Sequence, residues 1–121
     1  MKKVLGICGL VALTALPVTG RDAVTITVSP ARAFAPATLR VIVRIEPNAT
    51  NRSLTIVADG ENFFRSSEVS LDGDQAPKII QMPFPSVPGG QYDVYAVLKD
   101  GSGRERATAH EKVAILSVDG Q

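Results

Sequence analysis

The chain has 121 residues, 45% of them hydrophobic, with 13 basic and 12 acidic residues. The near balance of charge excludes the basic surface that nonspecific nucleic-acid binding requires, and the apolar content excludes a disordered polymer. One His, one Cys and no Trp leave little material for a catalytic or metal centre, and no catalytic motif occurs along the chain.

Residues 1–20 open with Lys2 and Lys3, continue as an apolar run from Val4 to Leu16, and close on Pro17 with small residues at Val18 and Gly20. This three-part pattern predicts a secretory signal peptide cut after Gly20. The run is short for a membrane span and is interrupted by glycines. Cys8 follows Ile7 inside the run rather than a small residue, so it is read as part of the signal and not as a lipid-attachment site. Removal of 1–20 takes both lysines and the cysteine, shifts the net charge from +1 to −1 and leaves a single domain over 21–121. That domain must hold together without disulfides. The short Lys-Lys start and the missing disulfides predict a bacterial protein that is periplasmic or secreted, with no membrane attachment after signal removal.

From Ala23 onward apolar residues alternate with period two, and no window gives a helical stripe. Val24, Ile26 and Val28 predict a first strand ending at Ser29-Pro30, followed by an Ala- and Pro-rich loop over 31–37. Leu39, Val41, Val43 and Ile45 then point one way while Arg40, Arg44 and Glu46 point the other, which makes a half-buried strand with Ile42 out of step. Beyond Pro47, Asn48-Ala-Thr50 and Asn51-Arg-Ser53 both fit the glycosylation acceptor pattern and are read as a polar turn. Leu54, Ile56 and Ala58 give a third strand closed by Asp59-Gly60. Residues 62–71 give a fourth, with Val69 and Leu71 inward.

Residues 78–82 read as a short, weak strand hemmed in by Pro77, Pro83, Pro85 and Pro88, and therefore at a sheet edge. Tyr92, Val94, Ala96 and Leu98 share one face of the strongest strand. Asp100 to Gly103 form a hairpin turn, and 104–116 return as the last strand. About seven strands without a crossover helix predict an all-β, antiparallel two-sheet sandwich.

The run Gly90-Gln-Tyr92-Asp-Val94 resembles the tyrosine corner of immunoglobulin-like domains, where a Tyr at the start of the penultimate strand is followed two residues later by a core residue. Val94 stands where antibody domains carry a cysteine, so the resemblance is to the broad immunoglobulin-like or fibronectin type III-like class, over residues 22–118. A second, local likeness runs from Leu54 to Phe63, which is similar to the strand and turn of the immunoglobulin-like modules of plexins and transcription factors. Neither resemblance implies a catalytic residue or a cofactor.

Each candidate for chemistry has a plainer reading beside it. Asp59-Gly-Glu61 and Asp72-Gly-Asp74 offer oxygen ligands for calcium, yet Asp-Gly pairs recur in turns for conformational reasons alone. His110 and Glu111 are neighbours in a strand, so they face opposite ways and cannot serve one site. Ser66, Ser67 and Ser70 lack the setting of a hydrolase nucleophile. The remaining signal is surface character. Tyr95 and Val97, with Asp93 and Lys99, lie on the face opposite the core, and the adjoining third strand adds Thr55 and Val57. Of Phe63 and Phe64, one ring belongs to the core and the other stands partly exposed beside Arg65. An apolar patch of this kind marks an interface, although β-branched and aromatic residues also raise strand propensity wherever they sit.

The expectation is therefore a noncatalytic, extracytoplasmic binding or structural module, not an enzyme. It uses no cofactor and no metal, and it meets a protein partner of the cell envelope or exterior through Tyr95, Val97, Val57, Phe64 and Arg65, without nucleic acid. A small carbohydrate-binding module is the alternative, weakened by the lack of Trp for stacking on sugar rings. The sequence leaves the oligomeric state open.

Overall fold

Alternating apolar and polar residues bury one face of each strand, and two such faces closed against each other make the core. The computed structural model describes residues 23–117; the predicted signal peptide lies outside them. Eight strands are present: β1 (Val24–Ser29), β2 (Arg32–Phe34), β3 (Ala37–Ile45), β4 (Ser53–Gly60), β5 (Phe64–Ser70), β6 (Ile79–Val87), β7 (Gly90–Lys99) and β8 (Glu105–Leu116), with one 3-10 turn at Gly73–Gln75. They form a three-stranded sheet, β1-β3-β6, and a five-stranded sheet, β2-β8-β7-β4-β5. All pairings are antiparallel except β2 with β8, which is parallel.

The core between the sheets is aliphatic. Leu39, Val41 and Val43 from β3 join Leu54 and Ile56 from β4 and Val94, Ala96 and Leu98 from β7, with Phe84 as the largest fully buried side chain. The expected inward sets of β1, β3, β4 and β7 all fall on this side.

Two expectations are corrected. The segment 31–37, expected as a loop, contains β2, because the chain leaves β1 at Ser29 and crosses to the opposite sheet, where Arg32–Phe34 runs beside Ala114–Leu116. The weak strand expected over 78–82 runs on to Val87, through Pro83 and Pro85. Its place at the edge of the three-stranded sheet is as expected. That place also explains its length, since an edge strand needs hydrogen bonds on one side only and proline's missing N–H faces outward there at no cost. Pairing shifts register between Ala37 and Leu39, opposite Pro85 and Ser86. Ser86 absorbs the extra residue with φ of 59°, a left-handed conformation uncommon outside glycine.

Tyr92 shows how the rim is closed. Its ring is buried and its hydroxyl donates to the Pro88 carbonyl at 2.8 Å, as the tyrosine-corner resemblance implies. Gly60, paired across from Tyr92, makes room for it: a Cβ at Gly60 would stand 2.4 Å from the Tyr92 ring. Phe63 meets the same ring edge-on, with centroids 5.9 Å apart.

At the other end the Asn-rich segment forms a polar knot. Asn51, fully buried, donates from Nδ2 to the Glu46 carbonyl and accepts at Oδ1 from Arg106. Its own carbonyl accepts from Arg52 and from the Gly73 N–H. Asn48 closes a turn by accepting from both the N–H and the hydroxyl of Thr50. The two acceptor motifs form a polar turn, as expected, and Asn51 is buried in the folded chain.

Candidate functional site

The outward face of the five-stranded sheet is set by register. β7 pairs with β4 so that Tyr95 stands opposite Val57 and Val97 opposite Thr55. On its other side, β7 pairs with β8 so that Tyr95 stands opposite His110 and Val97 opposite Thr108. The expected grouping of Tyr95, Val97 and Val57 on one face is therefore found. Val57, however, is only 4% exposed, so it forms the floor of the patch and not its surface. Tyr95 and Val97 are half-buried.

Phe64 belongs to the same outward face, at the start of edge strand β5, opposite Asp59, and is 63% exposed. Arg65 does not. It pairs with Ala58, a core residue, so alternation turns it inward at the open side of the sandwich. There its guanidinium lies 5.3 Å from the Phe63 ring centroid and donates to the Pro85 carbonyl at 3.3 Å. Phe63, two residues back, is the ring packed against the core, and it is this ring that Arg65 covers. Arg65 thus spans the gap between the sheets and is removed from the outward patch.

The residue that the sequence did not assign to the patch is His110. Its ring lies 5.2 Å from that of Tyr95 at a 31° tilt, and its Nδ1 is 3.2 Å from both carboxylate oxygens of Asp93. This geometry places the ring proton on Nδ1, facing the carboxylate, and leaves Nε2 without a partner among the described residues. The imidazole is 55% exposed and the carboxylate 32%. Glu111, as expected, is on the opposite side: it pairs with Val94, whose side chain is core. Counting strands outward from the hairpin turn places Tyr95 opposite Ala109. The pairing slips by one residue between Leu98 and Lys99, where β8 carries an extra residue, Arg106. This bulge brings His110 onto the outward face beside Tyr95.

Among the described residues no serine or cysteine stands beside the Asp93–His110 pair. Ser66 lies in the same cross-strand row, but β4 and β7 intervene. At about 4.8 Å per strand its hydroxyl is roughly 14 Å from the imidazole, beyond reach of a Ser-His-Asp arrangement. The two acidic turns sit at opposite ends of β4, Asp59 at its last turn and Gly73 bonded to Asn51 ahead of its first residue, so they cannot share one calcium ion. Among the described residues no three His, Cys, Asp or Glu side chains gather closely enough to hold a metal ion.

Solved structures share this architecture. Superoxide reductase (neelaredoxin) from Ignicoccus hospitalis superposes with a TM-score of 0.56 at 12% identity, over 78% of this chain and 80% of that one. The CARDB domain of a Pyrococcus furiosus protein, solved in complex with di-metal ions, gives 0.50 at 16% identity, over 80% and 94%. The fold is an immunoglobulin-like β-sandwich. At these identities the likeness extends to the fold alone. No family model and no curated protein sequence matches the chain.

Proposed function

We propose that this chain is a noncatalytic binding module, exported from the cell, that meets a protein partner through the outward face of its five-stranded sheet. One observation carries the reading. In the interior of that sheet Tyr95 and His110 stack side by side over a buried Val57, so a wide, rigid, amphipathic surface is presented without long flexible side chains to immobilise. Low ordering cost of this kind is what makes aromatic side chains effective binding anchors.

The test is Tyr95→Ala, with partner capture from the native envelope fraction measured beside thermal stability. Loss of a binding anchor costs about 2 kcal/mol, or roughly thirtyfold in affinity, while the melting curve moves little because Tyr95 is only half-buried. A variant that unfolds, or one that captures its partner as well as the parent does, removes the reading.

A further inference from the structure

On the far side of the sandwich, the outward face of the three-stranded sheet has a different chemistry. Its middle strand, β3, turns Arg40, Ile42 and Arg44 outward. β1 sets Ser29, Thr27 and Thr25 beside them, and β6 sets Pro83, Gln81 and Ile79. Strands β1, β3 and β6 contain no acidic residue, and Arg40 and Arg44 are their sole charges. In the five-stranded sheet, by contrast, cationic and anionic side chains are equal in number. Both arginines are exposed, and neither has a hydrogen-bond or ion-pair partner among the described residues. Lys78, exposed ahead of β6, adds a cation near the Arg44 end, where its carbonyl accepts from Ile45; Glu46 follows Ile45 there, just beyond β3.

We propose that this face binds an acidic polysaccharide, a chain of sugars that carries carboxylates at intervals. Two properties of the face select this ligand, and three other ligand classes fit it less well. The ligand is anionic, because Arg40, Arg44 and Lys78 outnumber Glu46, the carboxylate that alternation sets on the same outward side. It is sparsely charged, because the two guanidinium groups stand four residues apart on one strand, about 13 Å, with hydroxyl and amide side chains on either side that suit sugar hydroxyls. A nucleic acid, with a phosphate at every unit, calls for denser cations than two arginines about 13 Å apart. A peptide would seek free backbone, whereas β3 is paired on both sides. An anionic lipid surface needs more cations, or protruding apolar side chains, than this face offers.

The experiment measures retention of the purified chain on immobilised polygalacturonate, with neutral dextran, phosphatidylglycerol vesicles and single-stranded DNA as the other arms. Expected is retention on polygalacturonate alone, falling as salt is raised, and weakened about tenfold in Arg40→Gln/Arg44→Gln. Thr27→Glu, which adds an anion to the same face without touching either arginine, weakens it as well. Both variants keep the parent's melting temperature, since the altered side chains are exposed. Equal retention of parent and variants, no retention of the parent at low salt, or binding to vesicles or DNA in place of the polysaccharide each overturns the proposal.

Discussion

Val57 and Ile42 occupy comparable places, each an outward-pointing aliphatic residue on an interior strand of its sheet. Val57 is nevertheless buried while Ile42 stays partly open to water. Their neighbours account for the difference. Val57 has Tyr95 directly across, with the His110 ring stacked beyond it. Ile42 has Thr27 and Gln81, which are too short or too flexible to cover it. Strand alternation fixes the direction of a side chain, and its burial then depends on the size of the partners that the register brings beside it.

This contrast is most easily broken by placing a charge at both positions. Val57→Asp should cost about 3 kcal/mol or more, since a carboxylate would be buried without a partner. Ile42→Asp, with water at hand, should cost under about 1 kcal/mol. Urea unfolding of the two variants reads the difference directly, and equal losses would mean that the two faces are alike.

A smaller effect is expected at the rim of the five-stranded sheet, where the Tyr92 hydroxyl is held by Pro88. Tyr92→Phe should remove about 1 kcal/mol, seen as a melting temperature lower by about 4–8 °C. Burial pushes the Tyr92 phenol above its ordinary value of 10.0. The folded state thus favours the protonated form, and its contribution is complete below pH 10 and lost as pH rises through the folded-state value. Parent and variant should therefore converge in stability in strong alkali, and a constant difference across that range would separate the hydroxyl from the effect.

The smallest change belongs to the β7–β8 hairpin, which sets the register beneath Tyr95 and His110. Asp100 Oδ1 accepts from the Ser102 hydroxyl and from the N–H groups of Ser102 and Arg104. The Ser102 hydroxyl, then the Arg104 N–H, hold the carboxyl below its ordinary value of 3.8. These bonds are complete above that pH and are lost as pH falls through the lowered value. The amide resonances of Ser102 and Arg104 should titrate together below pH 3.8 and stop titrating in Asp100→Ala, with the rest of the spectrum unmoved.

Much of this architecture can be read from residue order. The alternation at Leu39, Val41, Val43 and Ile45, and again at Tyr92, Val94, Ala96 and Leu98, needs no structure to interpret, because a strand with one wet face leaves period two in its sequence. What stays hidden depends on partners distant in the chain. β2 has three residues and no alternation to show, and it exists because β8 offers it a parallel edge. β6 passes two prolines that argue against a strand unless its edge position is known. Arg65 looks like a surface charge until pairing with Ala58 turns it inward. His110 reaches the patch only through the Arg106 bulge, and one inserted residue moves every later side chain to the opposite face.

Arg65 and the two prolines also bear on how molecules of this protein behave in a crowd. Open strand edges are where β-proteins polymerise, each unpaired backbone serving as a template for the next chain. Here β6 offers Pro83 and Pro85 with a bulge at Ser86, β5 carries at Arg65 an inward-turned, water-exposed charge that a docking strand would have to bury, and β2 is too short to template anything. Lateral growth is obstructed at three of the four edges. Encounters with other molecules are thereby directed onto the broad faces of the sheets, where side chains and not backbone decide what binds.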